Sequence, residues 1–199
     1  MLDCGIGNLF SIECAVKKAG LKPTIICESR NLKGFDAIVI PGVGNFKAAA
    51  EKIESMRSVI AEVIDDGVPL LGICLGMQLL FDSSEESPRK GLGFLGGKVL
   101  RLPKSVKIPH MGWNTLKICR RNALIHGISE RDYFYFVHGY YPSPTSNDAI
   151  LAQTEYGLDF ASIVADRNIY GTQFHPEKSG EAGEQILRNF ASIVKRRGR

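Results

Sequence analysis

The sequence predicts an α/β fold with three layers, in which helices flank a mostly parallel central sheet that has an antiparallel extension. Up to residue 81, short apolar runs alternate with helical amphipathic patterns, which is typical of βαβ units. After residue 90, strand patterns follow one another with few helices between them. The 199 residues contain no internal repeat or low-complexity linker, so we expect one domain over residues 1–199.

The amino-terminal half supplies the strand–helix repeats. Residues 1–8 predict a short strand and a glycine-rich turn, and Asn8 is suited to cap the helix that follows. Further strands are predicted at 23–27 and 37–40. Asn45 should cap a second helical stretch that ends before Gly67. One face of each helical stretch is apolar, at Leu9, Ile12, Val16 and Ala19 in the first and at Phe46, Ala49, Ala50 and Ile53 in the second.

The carboxy-terminal half is dominated by strand patterns. Residues 82–90 are polar and contain a proline, which predicts a loop. Residues 166–168 should close a hairpin, and an amphipathic helix should cover residues 186–194. Strands are predicted at 99–102, 133–137, 150–152, 161–165 and 169–174.

Composition excludes several classes of protein. The net charge of +4 is mild, and basic residues do not alternate with aromatic ones as on a nucleic-acid surface. No long apolar run or signal peptide indicates a membrane or export, so we expect a cytoplasmic protein. The five cysteines are odd in number and lack CxxC spacing, which argues against a disulfide framework or zinc cluster. We expect neither a metal nor a cofactor.

The segment Gly72-Ile73-Cys74-Leu75-Gly76 has the pattern of a nucleophile elbow with cysteine in place of serine. An apolar run precedes it and a helical pattern follows it. A nucleophile on a tight strand-to-helix turn needs small neighbours, and the helix start offers free N–H groups to an oxyanion. A small buried cysteine on a structural turn would fit the same pattern.

A thiol nucleophile needs a base, and the base needs an orienting group. His175 follows the apolar strand 169–174, where parallel-sheet enzymes carry functional groups. Glu177 lies two residues further on, and Pro176 stiffens the link. These residues predict a site formed by Cys74, His175 and Glu177.

Three stretches together resemble a class I, triad-type glutamine amidotransferase domain: Pro41-Gly42-Val43-Gly44, the elbow with Met77-Gln78, and Phe174-His175-Pro176-Glu177. Three more resemble the glutaminase subunit of imidazole glycerol phosphate synthase, namely Asp3-x-Gly5-x-Gly7-Asn8-Leu9, Pro109-His110-Met111-Gly112-Trp113-Asn114 and residues 133–138. They span the chain from end to end in family order.

The resemblance implies a role for each matching residue. Cys74 would be the nucleophile, His175 the general acid and base, and Glu177 its orienting carboxylate. The backbone N–H groups of Leu75 and, after local adjustment, Val43 would form the oxyanion hole. The substrate glutamine would be contacted by Gln78 and Glu86.

The resemblance also implies a partner, a (β/α)₈-barrel cyclase that forms a heterodimer with this chain and receives the ammonia. Exposed aromatic and methionine side chains suit an interface. The family's interface positions correspond to Asn8, His110, Met111, Trp113 and Tyr135. His138 and Tyr140 would line the glutamine site or the interface.

Some positions depart from the family pattern. Only two residues precede Asp3, whereas the family usually has a full strand there, and Gly139 replaces a common serine. These departures leave open a paralogous glutaminase that feeds a different synthase, such as one in amino-sugar synthesis. A different cysteine–histidine hydrolase, a redox-sensing protein and a non-catalytic binding module are the remaining alternatives.

Overall fold

The computed structural model describes residues 1–3, 9–27 and 32–197. The predictions for residues 4–8, including the Asn8 cap and its interface role, lie outside this range. The helices are α1 (Leu9–Lys18), α2 (Phe46–Glu54), α3 (Arg57–Asp65), α4 (Leu75–Gln78) and α5 (Gly180–Arg197). The strands are β1 (Ile38–Ile40), β2 (Leu70–Ile73), β3 (Ser83–Ser84), β4 (Ser87–Lys90), β5 (Gly97–Arg101), β6 (His110–Asn114), β7 (Lys117–Ile118), β8 (Phe134–His138), β9 (Tyr140–Pro144), β10 (Ile150–Glu155), β11 (Asp159–Asp166) and β12 (Ile169–Thr172).

The central sheet has the strand order β1-β2-β12-β11-β10-β7. β2 pairs in parallel with both β1 and β12, whereas β11, β10 and β7 continue the sheet in antiparallel pairs. Two smaller sheets have the orders β4-β3-β5-β9 and β6-β8. The predicted α/β class, with flanking helices and an antiparallel extension, is confirmed.

Alternating side chains of the sheet face two separate core layers. In β1, Ile38 and Ile40 belong to the layer that contains the apolar faces of α2 and α3. Val39 points the other way, into the layer that contains α1 and α5. Since successive side chains of a strand point to opposite faces, a continuous apolar strand can be covered on both sides.

Three local predictions were wrong. Residues 82–90 form the strands β3 and β4, because Ser83 finds a parallel partner in Lys98 of β5. Residues 23–27 form only an isolated bridge, between Leu2 and Ile26. The second helical stretch is broken into α2 and α3 at Met56, whose N–H bonds to the Ile53 carbonyl at 2.9 Å.

None of the helices in the described residues is both long enough and apolar enough to cross a membrane.

Candidate active site

The site lies where the carboxyl ends of β2 and β12 meet. The two strands are parallel neighbours, with Ile73 opposite Thr172. The Cys74 N–H donates to the Thr172 carbonyl at 2.7 Å, which holds the start of the elbow against β12. Because parallel strands end at the same edge of a sheet, residues that follow β2 and β12 come together here.

The backbone of Cys74 has φ 53° and ψ −108°, a conformation that non-glycine residues rarely adopt. Such a conformation costs about 1–3 kcal/mol and must be imposed by its surroundings. A Cβ at Gly76 would lie 1.8 Å from the Ile40 carbonyl oxygen, and one at Gly72 would lie 2.7 Å from the Gly76 backbone. The glycines of the elbow are therefore required by close backbone packing. The helix after the elbow, α4, is a single turn and is shorter than predicted.

His175 and Glu177 form a buried pair. Nδ1 of His175 lies 2.8 Å from Oε1 of Glu177, and the two side chains are 1% and 2% exposed. Burial by itself lowers the pKa of His175, but its interactions with Cys74 and Glu177 outweigh this effect and raise the pKa to about 10. Nε2, the other ring nitrogen, makes no hydrogen bond to any described residue. It is thus free for proton transfer.

The backbone of His175 is tied to strand β8. Its N–H donates to the Tyr135 carbonyl at 2.9 Å. Ser179, which is buried, accepts a hydrogen bond from the Tyr135 N–H and donates one to the His175 carbonyl. These three bonds fix the histidine relative to the strand that carries Tyr135.

The two predicted oxyanion donors lie on different segments: Val43 is in the turn between β1 and α2, and Leu75 begins α4 directly after Cys74. The Leu75 N–H donates to the Gly42 carbonyl at 3.3 Å, so this donor is engaged by the protein itself. Val43 is half-buried next to Gly42, and Gly44 has a φ of +107°. Asn45 caps α2 as predicted, with its side chain accepting from the Ala48 N–H.

Gln78 and Glu86 occupy different surroundings. Gln78 is 4% exposed, and its amide nitrogen bonds to the Tyr140 carbonyl and to Gln173. Glu86 accepts from Asn45 at the start of α2, and burial raises its pKa despite that bond. Within the described residues neither side chain hydrogen-bonds directly to Cys74, His175 or Glu177.

The predicted interface residues divide by strand alternation. Met111 and Trp113 on β6 are 63% and 56% exposed, and the Trp113 ring contacts that of half-buried Tyr135 at 5.9 Å between centroids. His110 is instead buried, with its ring stacked on Phe136 and on Tyr156. It alternates with the exposed residues and points inward, and its contact with a partner stays a prediction.

Sequence reasoning missed Gln173 and Ser179, which both lie beside the predicted triad. The amide nitrogen of Gln173 is 3.6 Å from the Cys74 sulfur. A polar residue inside the apolar run 169–174 was the available signal for Gln173. Ser179 has no comparable signal, because its role depends on a contact with a distant strand.

The geometry is a cysteine on a strained elbow beside a buried histidine–carboxylate pair. A family model described as "Glutamine amidotransferase class-I" matches residues 1–194. The chain belongs to this family.

Two of the curated relatives share almost half of their residues with this chain over nearly their whole length. Over 196 residues the chain is 47% identical to the "Imidazole glycerol phosphate synthase subunit HisH" of Methanothermobacter thermautotrophicus, covering 98% of both chains. It is 45% identical to the protein of the same name from Methanocaldococcus jannaschii, again covering 98% of both. A solved structure titled "Crystal structure of glutamine amidotransferase" matches 98% of this chain and 97% of its own, with a TM-score of 0.78 and 18% identity. At this low identity, the similarity to the solved structure shows only that the two chains share a fold.

Proposed function

We propose that this chain is the glutaminase subunit of imidazole glycerol phosphate synthase, in which it hydrolyses glutamine and passes the ammonia to a cyclase partner. The observation that carries the proposal is the buried His175–Glu177 pair beside Cys74 on its strained elbow. The names of the two HisH relatives favour the histidine pathway over the amino-sugar alternative.

Cys74 attacks as a thiolate, for which the protonated His175 is the counter-ion. The sulfur bonds to the carbon of the glutamine side-chain amide, and the carbonyl electrons move to oxygen. His175 then gives its Nε2 proton to the nitrogen as the carbon–nitrogen bond breaks and ammonia departs. Glu177 holds the imidazolium through Nδ1, so that Nε2 keeps its direction.

The resulting thioester is hydrolysed by water. His175, now neutral, takes a proton from the water as the oxygen attacks the thioester carbon. The carbon–sulfur bond breaks, glutamate leaves and the thiolate–imidazolium pair is restored. The same histidine therefore acts first as acid and then as base.

The oxyanion requires N–H donors, for which we propose Leu75 and Val43. Since the Leu75 N–H is bonded to the Gly42 carbonyl, the turn 41–44 must shift before this donor can serve an oxyanion. One oxyanion donor is worth roughly 10²–10³ in rate. The turn thus provides a means of keeping glutaminase activity low until it is needed.

We propose that Gln78 and Glu86 contact the substrate. The Glu86 carboxylate suits the α-ammonium group of glutamine and lies at the start of α2, directly after the turn 41–44. The Gln78 amide nitrogen is already bonded, so Gln78 would act through its carbonyl oxygen or by shaping the pocket.

We propose that the partner is a (β/α)₈-barrel cyclase that covers Met111, Trp113 and Tyr135. Exposed methionine and aromatic side chains beside one another are typical of interface centres. Strand β8 joins this surface to His175 through the Tyr135 carbonyl. The ammonia would react there to give imidazole glycerol phosphate and an aminoimidazole carboxamide ribotide. A cytoplasmic location fits the free thiols of Cys14, Cys27, Cys74 and Cys119.

Cys74→Ala tests the assignment. In the complex with the cyclase and its nucleotide ligand, this variant should release no glutamate or ammonia from glutamine above background. Cys119→Ala is the matched control, because Cys119 is an exposed thiol, and it should retain activity. Glutamine hydrolysis by Cys74→Ala at the wild-type rate would refute the assignment of Cys74 as the nucleophile. Recovery of a different synthase instead of the cyclase in a pull-down with the native chain would refute the pathway.

A further inference from the structure

Gln173 follows β12 and is fully buried, and its amide nitrogen lies 3.6 Å from the sulfur of Cys74. We propose that Gln173 is a further catalytic residue, which donates an N–H hydrogen bond to the Cys74 thiolate and so stabilises the ionised nucleophile. This inference rests on the proposed function, because it requires Cys74 to react as a thiolate.

The orientation of the Gln173 amide follows from its neighbours. The Tyr140 carbonyl can only accept hydrogen bonds, so the Gln78 atom at 2.8 Å from it must be the NH₂ nitrogen. The same nitrogen lies 3.1 Å from the Gln173 side chain and donates to it. Gln173 therefore turns its oxygen towards Gln78 and its NH₂ group towards the sulfur.

Two buried histidines keep the Tyr140 carbonyl in place. Nδ1 of His138 lies 2.9 Å from this carbonyl and must donate to it, so Nε2 of neutral His138 is an acceptor. Nδ1 of His110, at 3.0 Å, donates to that Nε2. Nε2 of His110 is then left to accept from Asn114 at 3.4 Å.

Both rings are held neutral. Burial lowers the pKa of His138 to about 3 and that of His110 to about 4. The hydrogen-bond chain from Asn114 to the Gln173 amide therefore has one consistent assignment of donors and acceptors. This arrangement leaves the Gln173 NH₂ group no alternative orientation that satisfies its neighbours.

The Cys74 sulfur also contacts the Val137 carbonyl, and ionisation of the thiol weakens this contact while it strengthens the one with Gln173. The thiol can donate to the Val137 carbonyl at 3.8 Å, but a thiolate cannot. The Gln173 N–H can donate to the sulfur in both states and bonds more strongly to the charged one. Gln173 thus favours the thiolate over the thiol, which is the form that attacks the amide.

The test measures the pH dependence of Cys74 alkylation by iodoacetamide in the intact chain, with the modified peptide identified by mass spectrometry. Gln173→Met removes the donor and preserves volume. We expect its midpoint for Cys74 alkylation to rise by about one pH unit, as for loss of a hydrogen bond to a charged group. Above both midpoints the variant should react at least as fast as the wild type, because a thiolate of higher pKa is the stronger nucleophile.

Thr154→Val is the matched control. Thr154 is also fully buried in the central sheet, but its hydroxyl bonds to the Thr115 carbonyl and not to the site. Its alkylation midpoint should equal that of the wild type. If Gln173→Met does not fold, Gln173→Asn replaces it, because the shorter side chain keeps an amide but withdraws it from the sulfur.

Each outcome decides the proposal. A raised midpoint in the folded Gln173 variant, with the control unchanged, supports the hydrogen bond to the thiolate. A slower rate at every pH with an unmoved midpoint indicates a packing role and overturns it. Labelling of wild-type Cys74 by a diazoketone analogue of glutamine, in the complex with the cyclase and its nucleotide ligand, separates failure of the Gln173 proposal from failure of the proposed function. If the analogue labels Cys74 and the midpoint does not move, only the role of Gln173 fails, whereas absence of labelling overturns the proposed function as well.

Discussion

The N–H of Leu75 donates a hydrogen bond to the carbonyl oxygen of Gly42 at 3.3 Å. The donor sits directly after the nucleophile, where an oxyanion would form, and the acceptor belongs to the turn that should supply the second donor. A Cβ at Gly42 would lie 2.8 Å from that of Leu75, so the two segments are in close contact. The described arrangement thus holds the thiol ready while one oxyanion donor is occupied.

Binding of the cyclase and its ligand should therefore raise glutaminase activity. We expect kcat/KM for glutamine to be at least about 100-fold lower for the isolated chain than for the liganded complex, the effect of one oxyanion donor. Iodoacetamide alkylation of Cys74 serves as the control, because it forms no oxyanion and should be comparable in both forms. Equal glutaminase activity with and without the partner would contradict this role for the Leu75–Gly42 bond.

Glu177→Gln should move the alkaline limb of glutaminase activity to lower pH. Interactions with Cys74 and Glu177 raise the pKa of His175 to about 10 against the effect of burial. Removing the carboxylate charge lowers that pKa, so the imidazolium that protonates the leaving nitrogen is lost at a lower pH. The pH profile of kcat/KM for the complex is the measurement. An unchanged alkaline limb in Glu177→Gln would show that the carboxylate does not act on His175.

Ser179→Ala should destabilise the chain by about 2 kcal/mol. The substitution leaves the part-buried Tyr135 N–H and one lone pair of the His175 carbonyl without the serine hydroxyl, and an unpaired donor away from water costs roughly 1–3 kcal/mol. Ser192→Ala is the control, because its hydroxyl bonds to a carbonyl of its own helix at an exposed position. The free energy of unfolding in urea measures both. If Ser179→Ala lowered the free energy of unfolding no more than Ser192→Ala does, Ser179 would not help to hold His175 in place.

The buried histidines His110 and His138 should make stability fall with acid. Burial lowers their pKa values in the folded chain to about 4 and about 3, below the ordinary 6.5. Between pH 6.5 and 5 the unfolded chain binds protons that the folded one does not, so each histidine contributes a slope approaching about 1.4 kcal/mol per pH unit. His175 opposes this slope near pH 6.5, because it is charged in the folded chain, where its pKa is raised to about 10, but only half protonated in the unfolded one. Near pH 5 it is protonated in both states and adds nothing.

Urea unfolding from pH 6.5 to 5 measures this slope. His110→Phe should reduce it, because one of the two protons is no longer taken up on unfolding and the ring can still stack on Phe136. Thr154→Val is the control, since it removes a buried hydroxyl that does not titrate in this window and should leave the slope as in the wild type. If the wild-type free energy of unfolding did not change with pH in this window, His110 and His138 would not both be neutral in the folded chain.

The sequence by itself determined the α/β class, the strand and helix that hold Cys74, and the pairing of His175 with Glu177. These features are local: the glycines of the elbow and the apolar runs around it are contiguous, and a single residue, Pro176, separates the histidine from its carboxylate. It did not determine the strands at 83–90, the break at Met56 or the burial of His110. The strands at 83–90 and the burial of His110 depend on distant partners, namely β5 for Ser83 and the ring of Tyr156 for His110.

Only the tertiary structure decided how the site is connected. Gln173 reaches Cys74 because β12 lies beside β2, although the two residues are 99 positions apart in the chain. Ser179 contacts Tyr135 because the turn after His175 packs against β8. Leu75 is engaged by Gly42 because β1 and β2 end together. Hydrogen bonds between distant segments leave no periodic pattern in a sequence, so strand order and register were needed to place them.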